Sequence, residues 1–281
     1  MRITELYKPM DVQDAYEKLI GQKKATLMAG GMFLRLQKRT LPLVIDLSAL
    51  PLKGIETINA TEKDQAVSGC ERLLIGAMTS LREIEMHPAL PAVLRESVAQ
   101  IAGVAVRNMA TIGGSVMGRY PFSDINTALM ALNATLHFYI NGSVPISTFM
   151  SEGLQEQDIL IGIEVPTLED VRGTYKAFKV VYTDFPLVNV AVCQWPRNPE
   201  HLTIAIGARP GRAAICTHAY SNANVNVNVN ESTDLGETQV EALLAHFTFG
   251  DDYRASEAYR RALAKALISD CLLEVEQWKS L

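Results

Sequence analysis

The sequence predicts an α+β protein in two parts, residues 1–167 and 168–281. Three observations lead there. The chain has 281 residues, enough for two ordinary domains or one large one. A polar stretch, Thr167 to Arg172, separates two regions of different pattern. Before it, short strand-like and helix-like segments are mixed; after it come three strand-like runs and then two helices. No G-x-G-x-x-G or G-x-x-x-x-G-K-[ST] motif is present, so the glycine pairs do not mark a doubly wound nucleotide-binding sheet.

Asp11 is placed to cap a first helix that carries Val12, Ala15, Tyr16, Leu19 and Ile20 on one face and stops at Gly21. Ala25 to Met28 reads as a strand that delivers Gly30-Gly31, and Leu43 to Leu47 as the next strand. Further strand-like runs are Gly54 to Asn59 and Leu73 to Ala77. Thr79 or Ser80 caps a short helix through Met86, with Glu83 near the capping-box position. A helix over Ala92 to Ala102 buries Val93, Leu94, Val98 and Ile101 and ends at Gly103.

The stretch from Arg107 to Asp124 organises the chain. It holds three glycines within six residues (Gly113, Gly114, Gly118), hydroxyls at Thr111, Ser115 and Ser123, and the Asp124 carboxylate. It reads as a loop between two helices. Glycine lets a backbone approach a ligand closely and turn its N–H groups onto phosphate oxygens. Each Gly-Gly is either a tight turn or a ligand loop; two such loops suit the two ends of a dinucleotide. Asp124 then begins a helix, as its cap or as a ligand, or both.

Leu136 to Ile140 reads as a strand, Asn141-Gly142 as a hairpin turn, and Ile159 to Val165 as a strand ending at Pro166. In the second part, Tyr175 to Val181, Leu187 to Gln194 and Leu202 to Ile206 are strand-like. Ser221 to Asn230 alternates Asn and Val and reads as a loop or an edge strand. Helices follow from about Glu237 to Phe247 and from Ser256 onward, where Tyr259, Leu263, Ala266 and Leu267 form one apolar stripe.

A net charge of −5 with no basic run argues against nucleic-acid binding. No apolar run reaches the ~18 residues of a membrane span, and the N-terminus lacks the apolar core of a signal peptide, so a cytoplasmic protein is expected. Cys70, Cys193, Cys216 and Cys271 form no C-x-x-C pair and read as buried thiols. The five histidines are scattered, so no metal site is expected.

Arg107 to Asp124 resembles the R-N-x-x-T-[IY]-G-G-[NS] to P-x-[SA]-D signature of the FAD-binding subunits of molybdenum hydroxylases, the xanthine dehydrogenase and carbon monoxide dehydrogenase type. Met28-Ala29-Gly30-Gly31 resembles that family's first flavin loop, A-G-G-[TH]-[DS]-L, and Asp252 to Arg260 its D-x-R-x-S-x-x-Y-R element. The resemblance implies a two-part FAD-binding domain of the PCMH type, followed by a C-terminal domain with a three-stranded sheet and helices.

It also implies that the backbone of Ala29, Gly30, Gly31 and Met32 wraps the FAD pyrophosphate, with Thr26, Leu27, Met28 and Phe33 as further cofactor-binding positions. Ala110, Thr111, Ile112, Gly113 and Gly114 form the second wall. Asp124 matches the acid that binds cofactor hydroxyls, and Ile101 an apolar neighbour of the isoalloxazine. Ile159, Phe178 and Lys179 match weaker contact positions. Read from their residue types alone, Ile101 serves equally as core and Lys179 as a solvated strand charge.

The function implied is that of an oxidoreductase subunit, passing electrons from an iron–sulfur partner to NAD or another acceptor. The [2Fe-2S] clusters and the molybdenum cofactor are expected in partner subunits, and without them no substrate hydroxylation. Met32 and Phe33 depart from the family pattern and remove side-chain contacts to FAD, leaving those of the backbone. They favour the alternative, a flavin-free structural or assembly subunit.

Overall fold

The computed structural model describes residues 1–59, 71–219 and 234–278. Three sheets stand in chain order. The first is parallel and has three strands, β1 (Arg2–Tyr7), β2 (Ala25–Met28) and β3 (Thr40–Asp46), in the order β1-β3-β2. Its central strand buries Leu43, Val44 and Ile45 completely. Helix α1 (Val12–Gly21) covers it with Ala15 and Leu19, and Asp11 caps that helix by accepting from the Asp14 amide. Ile20 faces solvent; on so small a sheet only a narrow stripe of the helix finds a partner.

The second sheet contains β4 (Ile55–Asn59), β5 (Glu71–Gly76), β6 (Thr135–Phe138), β7 (Gly142–Pro145) and β8 (Leu160–Pro166). It is antiparallel, in the order β4-β5-β8-β6-β7. Six helices lie between β5 and β8 in the chain: α2 (Leu81–Met86), α3 (Ala92–Ala99), α4 (Val104–Met109), α5 (Ile112–Met117), α6 (Asp124–Ala131) and α7 (Ile146–Glu152). Ser80 and Glu83 form a complete capping box on α2. Every residue of α6 is buried.

The third sheet holds the three expected strands, β9 (Arg172–Phe178), β10 (Val188–Trp195) and β11 (Asn198–Gly207). A fourth, β12 (Ala214–Ala219), extends it in the order β12-β11-β10-β9. Helices α8 (Asp234–Leu244) and α9 (Glu257–Trp278) cover one face. Strand β10 is buried on both faces with a period of two. Val188, Val190 and Val192 pack beneath α8 and α9. Ala191 and Cys193 join the core that contains Leu73, Ile75 and the apolar residues of α3 and α6. The polar stretch after β8 therefore divides the sequence without dividing this core.

Several local expectations change. Helix α3 ends at Ala99, and the left-handed turn after it falls on Ala102 (φ 44°), while Gly103 caps α4. The stretch around Gly113-Gly114 is helical: Thr111 caps α5, whose first turn contains both glycines. A Cβ on Gly113 would stand 2.7 Å from the Ala77 carbonyl oxygen, so this glycine lets the helix start press against the end of β5. Asp124 is not the cap of α6. Ser123 is, accepting from the Asn126 amide. The Asn/Val-rich run Ser221 to Asn230 and Cys70 lie outside the described residues. Cys193 and Cys271 are buried, Cys216 is half-buried, and none of the three is in a disulfide.

Candidate functional site

The two glycine segments meet. A Cβ on Gly30 would stand 1.8 Å from the Met109 carbonyl oxygen, so the turn after β2 lies directly on the backbone between α4 and α5. Gly31 takes a left-handed conformation (φ 69°) and turns the chain into a single 3-10 turn, Leu34–Leu36. Among the described residues, the amides of Gly30, Gly31, Met32 and Phe33 donate to no protein acceptor. Four consecutive donors are left for solvent or a ligand, and such free amides at a glycine turn are what an anion-binding loop needs.

The second segment differs from expectation. Its amides are taken within the protein: Ile112 donates to Thr79 O (3.0 Å), Gly113 to Ala77 O (2.9 Å) and Gly114 to Thr111 Oγ1 (3.3 Å). It supplies a wall and hydroxyls rather than a second row of N–H groups. Gly114 differs from Gly113, because a Cβ there would meet only Thr111 Oγ1 at 3.2 Å and Ala29 Cβ at 3.9 Å.

Between the segments lies a cleft in two lobes. The narrow lobe, about 120 Å³, is lined by Leu27 to Leu34 and by Ala110, Thr111, Gly114 and Ser115. The wide lobe, about 200 Å³, is lined by Leu81, Ile101 and Val106 on apolar surface and by the charged residues Asp124, Lys179, Arg35 and Asp184. Met32, Phe33, Ala110 and Ser115 border both lobes.

Asp124 and Lys179 form a buried group with Tyr175. The Tyr175 hydroxyl donates to Asp124 Oδ1, and Lys179 Nζ lies 3.3 Å from that oxygen. Lys179 also donates to Gln100 O at 2.7 Å. Lys179 is thus not a solvated strand charge: its side chain is 7% exposed. Burial pushes the Asp124 carboxyl above the usual aspartate range, against the opposing pull of the Lys179 ammonium and the Tyr175 hydroxyl. Burial, with Asp124 beside it, pushes the Tyr175 phenol well up as well.

Five residues expected at the site do not line the cleft. Thr26 lies within β2, and Ile112 and Gly113 are buried under the second wall. Ile159 is fully buried among Ala15, Leu19 and Ile45, in the core beneath the first sheet. Phe178 stands edge-on to Tyr259, 6.3 Å between ring centres.

Other residues were not singled out in the sequence. Arg107 donates to the carbonyls of Ile101 and Ala102 at 2.9 Å and pairs with Glu85 at 2.8 Å, fixing the left-handed turn beside Ile101. Its place in the R-N-x-x-T run was the available signal. Tyr120, Phe122 and Phe185 gather around Phe33 at the wide lobe. Phe33, the Tyr120 and Phe122 pair, and Phe185 come from three distant segments, so no spacing announced that they meet. The D-x-R-x-S-x-x-Y-R element acts through its arginines. Arg254 donates to Phe185 O (2.6 Å) and pairs with Asp184 (3.0 Å), while Arg260 donates to Leu187 O and Ala208 O. Together they hold the loop between β9 and β10 against the cleft.

Comparisons with known proteins agree with this arrangement. Residues 2–168 match the family model described as the FAD binding domain in molybdopterin dehydrogenase, and residues 173–275 match the CO dehydrogenase flavoprotein C-terminal domain. The chain is 23% identical to the glyceraldehyde dehydrogenase medium chain of Sulfolobus acidocaldarius, over 94% of this chain and 95% of that one. It is 26% identical to the carbon monoxide dehydrogenase medium chain of Hydrogenophaga pseudoflava, over 95% of each. The fold superposes on a solved carbon monoxide dehydrogenase from Hydrogenophaga pseudoflava with a TM-score of 0.78 at 23% identity, covering 97% of this chain and 96% of that one. Among the described residues, no helix is long and apolar enough to cross a membrane. The amide row beside the glycine turn fits the cofactor that the first family model names, and the chain belongs to the FAD-binding medium subunits of the molybdenum hydroxylase family.

Proposed function

We propose that this chain is the cytoplasmic flavin relay of a molybdenum hydroxylase complex, receiving electrons from an iron–sulfur partner and delivering them to NAD or another acceptor. The observation that carries the reading is the row of four unclaimed amides, Gly30 to Phe33, along the narrow lobe, with Met32 and Phe33 reaching the wide one. The amides of this row and the Thr111 hydroxyl hold the FAD pyrophosphate in the narrow lobe. Ile101 and Val106 give the wide lobe an apolar surface for the flavin ring and exclude water from it. Asp124, held by Tyr175 and Lys179, presents a fixed acceptor to the cofactor's sugar or ribityl hydroxyls. When bound, FAD supplies the exchange between single electrons and electron pairs.

Residues 1–167 form the flavin domain in this reading, and residues 168–281 contribute Lys179 and Phe185 to its cleft. The molybdenum cofactor and the [2Fe-2S] clusters reside in partner subunits, so the isolated chain is limited to NADH-dependent reduction of artificial acceptors. The competing reading is a flavin-free structural subunit, favoured by the Phe33 ring standing at the neck of the cleft. The visible spectrum of the purified chain with and without added FAD separates the two. Bound flavin supports the relay. A chain that stays colourless with FAD in excess overturns it.

A further inference from the structure

Phe33 replaces a small polar residue of the family's first loop, and its ring is not loose. It lies 4.8 Å from the Tyr120 ring and 6.3 Å, stacked, from Phe185. Phe122 completes the group, 5.1 Å from Tyr120 and 4.1 Å from Phe185. Three separate segments build this quartet, and each is braced. Gly118 makes room for Tyr120, since a Cβ there would stand 2.4 Å from that ring. The left-handed Arg119 (φ 45°) turns the chain to bring the ring over. Arg254 holds Phe185 through its carbonyl. All four rings line the wide lobe, and Phe33 remains 38% exposed although it touches three aromatic neighbours. The rings sit too close together to admit a further ring among them. What they offer a ligand is their outer faces, beside the apolar surface of Ile101 and Val106.

We infer that the quartet of Phe33, Tyr120, Phe122 and Phe185 is a stacking surface for the isoalloxazine ring, and that Phe33 is the first loop's contribution to it. This rests on the flavin reading above. An aromatic face offers dispersion and quadrupole contact to a flat heteroaromatic ring, with no directional hydrogen bond. The first loop thus divides its work within consecutive residues: its amides meet the pyrophosphate, and the last side chain meets the ring. The polar contacts missing at Met32 and Phe33 are replaced by stacking.

The test uses the full chain and calorimetric titration with two ligands, FAD and ADP. ADP carries the pyrophosphate without the flavin ring. Phe33→Leu keeps the backbone amide and an apolar side chain but removes the ring. FAD affinity should fall by about tenfold, the size of one aromatic stacking contact, and ADP affinity should stay within about twofold. Phe122→Leu, which lies outside the amide row, should give the same split and guards against a folding defect in the first variant. Equal loss of both ligands, or no loss of either, overturns the inference while leaving the flavin reading intact. Tighter FAD binding by Phe33→Leu overturns it too, because the ring would then be a plug. Failure of the natural chain to bind FAD removes the flavin reading itself, and this inference with it.

Discussion

Gly30 and Met109 are in backbone contact: the carbonyl oxygen of Met109 occupies the place where a side chain on residue 30 would begin, at 1.8 Å. This contact joins the turn after β2 to the turn between α4 and α5, and the cleft exists because the two touch there. Gly30→Ala must therefore displace one segment from the other. It should destabilise the chain by about 3 kcal/mol, measured by urea unfolding, and reduce FAD retention. Gly31→Ala meets no neighbour closer than 3.7 Å and strains only its own positive φ, at about 1 kcal/mol. Equal costs for the two variants would mean that the contact is not rigid.

Gly113 and Gly114 should part in the same way. Gly113→Ala drives a methyl group into the Ala77 carbonyl and should lower the melting temperature by several degrees, as ~1–2 kcal/mol does in a chain of this size. Gly114→Val projects into the narrow lobe, so it should fold and fail to retain FAD. Circular dichroism and flavin absorbance read both. A Gly114→Val chain with full flavin would remove this wall from the site.

The Asp124 variants test a buried group rather than a helix cap. Asp124→Ala leaves the Tyr175 hydroxyl without its acceptor and the buried Lys179 ammonium with Gln100 O alone, and should cost about 3 kcal/mol. Ser123→Ala removes the actual cap and should cost about 1 kcal/mol. Asp124→Asn keeps an acceptor for Tyr175 and should fall between them. Chemical denaturation of the three variants checks the order, and a Ser123 variant as damaging as Asp124→Ala would refute it.

Glu164 carries a pH dependence in the second sheet. Its two oxygens take Arg72 Nε and His137 Nε2, each at 2.9 Å. The His137 hydrogen bond, with Arg72 adding to it, holds the carboxyl below the usual glutamate range although burial opposes this. A carboxyl with a lower pKa folded than unfolded stabilises the fold above the unfolded value. That contribution disappears as the pH falls through the folded one. The natural chain should melt above Glu164→Gln at pH 7, and the gap should close below about pH 4. A gap that is constant down to pH 3 would contradict the assignment.

How much of this was legible in the sequence depends on the range of the interactions involved. Caps and short strands were readable, because Asp11, Ser80 and Glu83 act on amides within four residues of themselves. The motif run also located the cleft, since Gly30, Thr111 and Gly114 all line or border it. The state of the Gly113-Gly114 segment was not readable. A glycine pair looks the same in a loop and at a helix start, and only the carbonyls of Ala77 and Thr79 decide which amides remain free. Asp124 appeared as a cap because it begins an apolar helical run, yet Ser123 has the hydroxyl in place and Tyr175 claims the carboxylate. Ile159 matched a contact position by order along the chain, but its side chain is fully buried in the core with Ala15 and Leu19. The aromatic quartet joins positions up to 152 apart, Phe33 and Phe185, beyond any local pattern.

The two arginines near the start of α9 set an order of events during synthesis. Phe185 and Lys179 border the wide lobe, and the loop that carries Phe185 is fastened by Arg254 and Arg260. A nascent chain of the first 167 residues contains the glycine turn and the Ala110 to Gly114 wall but not Lys179 or Phe185. The loop that carries Phe185 stays unfastened until residue 260 has emerged. The cleft is therefore complete only once segments far apart in the sequence have met, the glycine turn at Gly30 and the arginines Arg254 and Arg260.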